Sequence, residues 1–152
     1  MKSNPWILVI ATAALVIPSS SRGDLTIEAA SQPTSWTLKQ DGKPVLVYTF
    51  SPQAFKPYVK ALYTTSGRNV LRDSPYDHLH HHALMYGIKV NGVNFWEEVP
   101  GCGVQRVIQT SEPKLVAGSN QAEIHQVLHW VAPEDAFLPS TNSLALLIEQ
   151  RT

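Results

Sequence analysis

From Asp24 onward the hydrophobic positions follow the two-residue period of β-strands, and no stretch sustains the period of a helix. Eleven prolines and many turns of two to five residues favour a sandwich or barrel over a helical fold. The sequence therefore predicts an all-β fold. Runs rich in β-branched and aromatic residues predict strands at 25–29, 36–39, 45–50, 58–63, 104–109, 114–117, 122–130 and 143–149.

The strongest local turn signal is Asn91-Gly92, which separates the apolar segments 88–90 and 93–96. Asparagine followed by glycine suits both central positions of a type I′ turn, whose twist matches that of paired strands. These residues predict a tight antiparallel hairpin. The longest alternation, 122–130, predicts one strand with Leu128 and Trp130 on the same face.

The first 23 residues have the organisation of a signal peptide. Lys2 precedes an apolar stretch at 6–17, followed by serines and Gly23, after which cleavage is expected. The stretch is shorter than the about 20 residues that span a bilayer, although an uncleaved anchor is the alternative. We expect residues 24–152 to form the mature domain, located in the periplasm or secreted, with no membrane span after cleavage.

The net charge excludes one class of binding partner, and the cysteine content excludes an internal disulfide. Removal of residues 1–23 takes away two of the twelve basic side chains and leaves a net charge of −2 without a basic run. Such a surface excludes nucleic acid as a partner. Cys102 is the single cysteine and cannot form an internal disulfide. Its flanking glycines predict a small buried residue in a tight turn, with a catalytic thiol as the alternative.

Four of the six histidines lie within positions 78–82. In an extended chain His78, His80 and His82 would share one face, because side chains two positions apart point the same way. A His-x-His pair on a strand suits zinc or a similar divalent metal, so these three are candidate metal ligands.

The same segment suits acid–base chemistry, because histidine titrates near neutral pH. In that hypothesis the catalytic residues are His80, His81 and His82, and Asp77 orients an imidazole. The substrate-binding candidates are an aromatic platform and a carboxylate, the parts that stack on and hydrogen-bond a sugar. They are Tyr76, Trp96 and Glu97.

Several alternatives stay open at this point. The histidines could be structural, and Trp96 could be a core residue beside solvated glutamates. Arg72 and Asp73 could form an anion contact or simply an exposed turn. The residues leave open whether the protein is an enzyme and whether it needs no cofactor or a metal such as zinc.

Residues 73–84, followed by 90–96, resemble the PmoA-like family of exported bacterial proteins. That family has a Pro-x-Asp-His-x-His-His element and then an Asn-Gly hairpin ending in Phe-Trp. Residues 41–46 and 56–59 fit the same pattern, as does the Leu-Leu-Ile-Glu-Gln-Arg stretch, 146–151. The resemblance covers the chain from about Trp36 onward.

The resemblance implies an antiparallel β-sandwich of the galactose-mutarotase type and a function on carbohydrate. It does not imply methane oxidation, because the oxygenase subunit behind the family name is a multi-helix membrane protein and this chain has one short apolar segment. Members are about twice as long. The chain is therefore expected to be the N-terminal half of the family domain, and to be poorly stable when isolated.

Overall fold

The computed structural model describes residues 23–30, 34–117, 119–133 and 145–152. Within these ranges the chain forms eleven β-strands and no α-helix, which confirms the predicted all-β fold. The predicted signal peptide lies outside the described residues except for Gly23. No helix in the described ranges is long and apolar enough to cross a membrane.

One antiparallel sheet has the strand order β1-β2-β3-β4. Its four strands lie side by side in their order along the chain, as expected for consecutive alternating segments. The turn between the second and third strands is Asp41-Gly42, with positive φ at both residues. The strands are β1 (Leu25–Ala29), β2 (Ser35–Gln40), β3 (Lys43–Thr49) and β4 (Tyr58–Leu62).

The second large sheet is antiparallel and has the order β11-β10-β7. Its central strand alternates as predicted, because Leu128 and Trp130 are fully buried while Val127 and His129, which alternate with them, are partly exposed. The strands are β7 (Val104–Thr110), β10 (Gln126–Val131) and β11 (Ala145–Arg151).

The prediction of one strand over 122–130 is wrong, because the segment changes partner. Its first part, β9 (Ala122–Glu123), pairs with β8 (Lys114–Leu115), and only the second part belongs to β10. At the break the backbone N–H of His125 donates to the Ser111 hydroxyl at 2.9 Å. An alternation of side chains does not reveal which neighbour a strand pairs with.

The predicted hairpin is present as β5 (Lys89–Val90) and β6 (Val93–Asn94). Asn91 and Gly92 have φ values of 48° and 85°, which confirms positive φ at both turn positions. The next residue, Phe95, is fully buried and packs with Leu128 and Trp130 of β10 in the main hydrophobic cluster. This packing fixes the hairpin on the second sheet and sets the position of the residue that follows, Trp96.

The two large sheets face each other as the layers of a sandwich and meet at Tyr48 of β3. Its hydroxyl donates to Oε1 of Gln126 on β10 at 2.5 Å and accepts a bond from Arg151 on β11 at 3.4 Å. The galactose-mutarotase relationship stays a prediction.

Cys102 lies in the turn before β7. It is buried, its N–H donates to the Val99 carbonyl at 3.0 Å, and the preceding Gly101 has a positive φ. The expected small buried residue in a tight turn is therefore confirmed.

Candidate functional site

Residues 73–82 form a compact loop between β4 and β5, which we call the histidine loop. The N–H of Ser74 donates to the carbonyl of His81 at 3.0 Å and closes the base of the loop. Inside it, His78 N–H donates to Pro75 and His81 N–H donates to His78, each at 2.9 Å. The prediction of an extended segment with His78, His80 and His82 on one face is therefore wrong, because two tight turns reverse the chain.

The second residue of the loop, Ser74, is strained. Ser74 has φ of 46°, and it precedes Pro75, which further restricts its backbone. Its hydroxyl lies 3.2 Å from Oδ1 of Asp73 and 3.1 Å from Nδ1 of His82, so it joins the first and last residues of the loop. Such strain persists only where the surroundings over-determine the backbone, and it is concentrated at functional sites.

His82, the last residue of the loop, lies between two carboxylates. Its Nδ1 is 2.9 Å from Oδ1 of Asp73, and its Nε2 is 3.0 Å from Oε2 of Glu98. The Glu98 hydrogen bond, assisted by Asp73, outweighs burial and raises the pKa of His82. Each ring N–H of the imidazolium therefore has a carboxylate acceptor, and neither nitrogen is left for a substrate.

Tyr58 of β4 covers this imidazole from one side. The two rings stack with centroids 4.0 Å apart, and the Tyr58 hydroxyl is 3.3 Å from Oδ2 of Asp73. Burial and the nearby Asp73 charge raise the pKa of Tyr58 to about 12. The phenol thus stays protonated at neutral pH and donates to Asp73.

Lys56 completes this set of contacts through Glu98. Only 2% of the residue is exposed, and its ammonium donates to the Trp96 carbonyl at 2.8 Å and to Oε1 of Glu98 at 2.9 Å. Burial alone would raise the pKa of Glu98, but the bonds from His82 and Lys56 prevail and lower it. We call Lys56, Tyr58, Asp73, His82 and Glu98 the inner network.

The other three histidines point outward. The His81 ring lies 4.6 Å from His78 and 4.4 Å from His80, measured between centroids, and contacts Trp96 edge-on at 5.6 Å. Trp96 is 42% exposed and Tyr76 is 88% exposed. Partial desolvation of the ring by its neighbours, followed by the charges of His80 and His78, lowers the pKa of His81, which favours its neutral form. The residues of this outer surface are Tyr76, His78, His80, His81 and Trp96.

The two predicted carboxylates, Asp77 and Glu97, each have a partner of their own. Oδ2 of Asp77 is 3.2 Å from Nδ1 of His78, and the backbone N–H of Asp77 itself is the main cause that lowers the pKa of Asp77. Asp77 therefore contacts His78, whereas the carboxylates on His82 are Asp73 and Glu98. Glu97 accepts a bond from the Asn94 amide at 3.1 Å and is exposed.

The predicted residues are thus divided between the inner network and the outer surface. The metal hypothesis named His78, His80 and His82 as candidate ligands, but His82 faces the inner network and the other two lie in the outer surface. In the part of the chain that the structure describes, no three histidine, cysteine, aspartate or glutamate side chains are arranged to hold a metal ion.

Sequence reasoning missed most of the inner network. The sequence suggested Asp73 as an anion contact or a turn residue. It suggested Glu98, like Glu97, as a sugar-binding carboxylate or a solvated glutamate, and not as a partner of His82. The roles of Lys56 and Tyr58 were missed, although both stand in the stretch 56–59 that fits the PmoA-like pattern. That pattern was the one signal pointing to them.

The molecule is thus an all-β protein that presents a loop of histidines on an internal ionic network. The chain matches DUF6807, described as a family of unknown function, over residues 35–152, and it belongs to that family. The matched range includes both the inner network and the outer surface. No curated protein and no solved structure was found to match the chain. The resemblance to PmoA-like proteins stays a prediction.

The inner network predicts an unusual dependence of stability on pH. The folded pKa of His82 is above its ordinary 6.5, so its stabilisation is complete below pH 6.5 and is lost as pH rises through the raised value. The folded pKa of Glu98 is below 4.5, so its stabilisation is present above pH 4.5 and is lost as pH falls through the lowered value. Within this network, stability should be highest between pH 4.5 and 6.5.

Urea unfolding between about pH 5 and about pH 9 measures this effect. The free energy of unfolding of the natural protein should fall with rising pH more steeply than that of the His82→Gln variant. The comparison is needed because His81, whose pKa is lowered, contributes with the opposite sign. Identical pH dependences in the two proteins would show that His82 is not held between Asp73 and Glu98.

Proposed function

We propose that the outer surface of the histidine loop binds carbohydrate. The observation that carries the proposal is the half-exposed indole of Trp96, which lies edge-on to His81 while its own backbone carbonyl is held by the buried Lys56. The indole and the adjacent imidazole rings form a contiguous exposed patch, and such a patch is typical of binding sites.

The chemistry of the surface suits a sugar. A pyranose ring has an apolar face of C–H groups and a rim of hydroxyls, so it needs a flat apolar platform with hydrogen-bonding groups around it. Trp96 and Tyr76 supply aromatic faces, and the neighbouring imidazoles and the Glu97 carboxylate supply donors and acceptors. An exported location, predicted from residues 1–23, would bring this surface to extracellular polysaccharide.

The division between the inner network and the outer surface limits which residues could also act chemically on the bound sugar. Both nitrogens of His82 are engaged by carboxylates, so we assign His82 a positioning role. A proton transfer would fall to His80 or His81, and the lowered pKa of His81 leaves its neutral ring able to accept a proton near neutral pH. Asp77 would act on such chemistry through His78, its contact in the loop.

Removal of the Trp96 indole should reduce oligosaccharide affinity by about tenfold or more, because stacking and burial of one aromatic ring are worth at least about 1.4 kcal/mol. Titration calorimetry with a panel of soluble plant and bacterial oligosaccharides first identifies a ligand for the natural protein. Trp96→Ala is then compared with Trp96→Phe, which keeps an aromatic platform and should retain part of the affinity.

A matched pair of histidine variants serves as the control. His81→Ala should weaken binding, whereas His125→Ala, an exposed histidine between β9 and β10, should leave it unchanged. The proposal fails if the natural protein binds no oligosaccharide in the panel, or if Trp96→Ala binds as tightly as the natural protein. Affinity that disappears with a chelator and returns with zinc would instead favour the metal hypothesis.

A further inference from the structure

An apolar cavity of about 310 Å³ lies between the two large sheets, apart from the histidine loop. Residues from both large sheets line it, so the side chains of the two sheets do not fill the space between them here. The main apolar side chains that line it are Ile27, Trp36, Leu38, Leu46, Val59 and Ile124.

The polar side chains that line the cavity are Tyr48, Gln126, Arg151, Thr152 and Glu123. The first three meet at the Tyr48 hydroxyl and form the polar end of the cavity. The Tyr48 hydroxyl donates to Gln126, and Nη1 of Arg151 reaches that hydroxyl over a long 3.4 Å bond, so this N–H can turn to a better acceptor. Nη2 of Arg151 is 2.8 Å from Glu149, which balances its charge. Burial raises the pKa of Tyr48, so the phenol is neutral. The polar end therefore offers hydrogen bonds without a net charge.

A second cleft of about 240 Å³ shares Tyr48, Val59 and Arg151 with the cavity. It continues past Tyr58 and Leu84, so the polar end of the cavity lies where the two spaces adjoin. A molecule whose body fills the apolar cavity would thus place its head at this junction.

We propose that the cavity binds a small amphipathic molecule with an apolar body and one uncharged hydroxyl or carbonyl head. An enclosed apolar cavity of about 150 Å³ binds benzene. This cavity, which is partly open and has a volume of about 310 Å³, has room for a two-ring compound or a medium-length alkyl chain. The volume also falls within the range of about 300–1,000 Å³ that is usual for ligand pockets. The balanced charge of Arg151 is the reason to assign an uncharged head rather than a carboxylate.

The neutral two-ring dye N-phenyl-1-naphthylamine tests the apolar part by its own fluorescence. The natural protein should bind one dye per chain with saturation. Leu46→Trp, which places an indole in the cavity, should weaken binding at least tenfold. Leu115→Trp adds the same side chain to an exposed position on β8 and should leave binding unchanged. Leu38→Phe, a smaller filling change, provides a second test if Leu46→Trp does not unfold cooperatively.

Displacement of the dye by 1-octanol tests the polar end. Tyr48→Phe should leave dye affinity within twofold and weaken displacement by octanol by about threefold to tenfold, as expected for one lost hydrogen bond. Equal dye binding by both cavity-filled variants and the natural protein would overturn the proposal. So would a concentration-dependent dimer in size-exclusion chromatography that Leu46→Trp abolishes, because the occupant would then be a second copy of the chain.

Discussion

Lys56→Ala should lower the free energy of unfolding by about 3–5 kcal/mol, because it removes one partner of a buried ion pair. Glu98 would then keep only the His82 imidazolium as a counter-charge, and the network would hold one unbalanced negative charge. The Lys56 side chain is 1% exposed and its partner Glu98 is 18% exposed. The substitution also leaves the Trp96 carbonyl without its ammonium donor. Urea unfolding monitored by circular dichroism measures the loss.

Two further lysine variants identify the cause. Lys60→Ala changes an exposed residue of β4 and should alter the free energy of unfolding by no more than about 0.5 kcal/mol. Lys56→Met keeps most of the buried stem and removes the charge, so it separates packing from the ionic contact. A loss below about 1 kcal/mol for Lys56→Ala would mean that solvent or another side chain replaces the ammonium.

Trp130→Ala should cost about 3–5 kcal/mol, the usual range for truncation of a fully buried aromatic residue. Trp130 has no exposed surface, its ring centroid is 5.0 Å from that of Phe95, and its indole N–H donates to Glu149 at 2.9 Å. Because Phe95 directly precedes Trp96, loss of this packing should also weaken oligosaccharide binding. Thermal unfolding and calorimetry on the same protein measure both effects.

Trp130→Phe serves as the conservative control, since it retains an aromatic ring and removes the N–H donor. Its cost should be clearly smaller than that of Trp130→Ala, and oligosaccharide binding should persist. Ile148→Ala, on the exposed side of β11, should be nearly neutral. Equal losses for the alanine and phenylalanine variants would assign the effect to the Glu149 hydrogen bond instead of the core.

The contacts of Lys56 and Trp130 explain why both residues support the outer surface. The histidine loop is attached to Glu98 through His82, and Trp96 is attached to Lys56 through its carbonyl and follows the buried Phe95. The outer surface therefore depends on an ionic contact beneath the loop and on a hydrophobic contact beneath the hairpin. Each can be removed separately.

Local signals in the sequence were sufficient for much of the fold. Alternation and β-branched content predicted the strands of both large sheets, and Asn91-Gly92 predicted its hairpin because the conformation of a type I′ turn is decided by those two residues. The pairing change at 124–125 could not be predicted in the same way. It depends on which strand lies alongside, and residues distant in the chain decide that.

The same distinction between local signals and distant contacts applies to the candidate site. The sequence by itself determined that histidines are concentrated at 78–82 and that an aromatic and two carboxylates follow the hairpin. Only the tertiary structure decided that His82 turns inward and the other three turn outward, because its partner Glu98 is sixteen positions away and Lys56 is a further contact across the fold. A buried charge without a partner costs free energy, and the partner here comes from a segment that is distant in the sequence. A local sequence pattern therefore does not predict which histidine is buried.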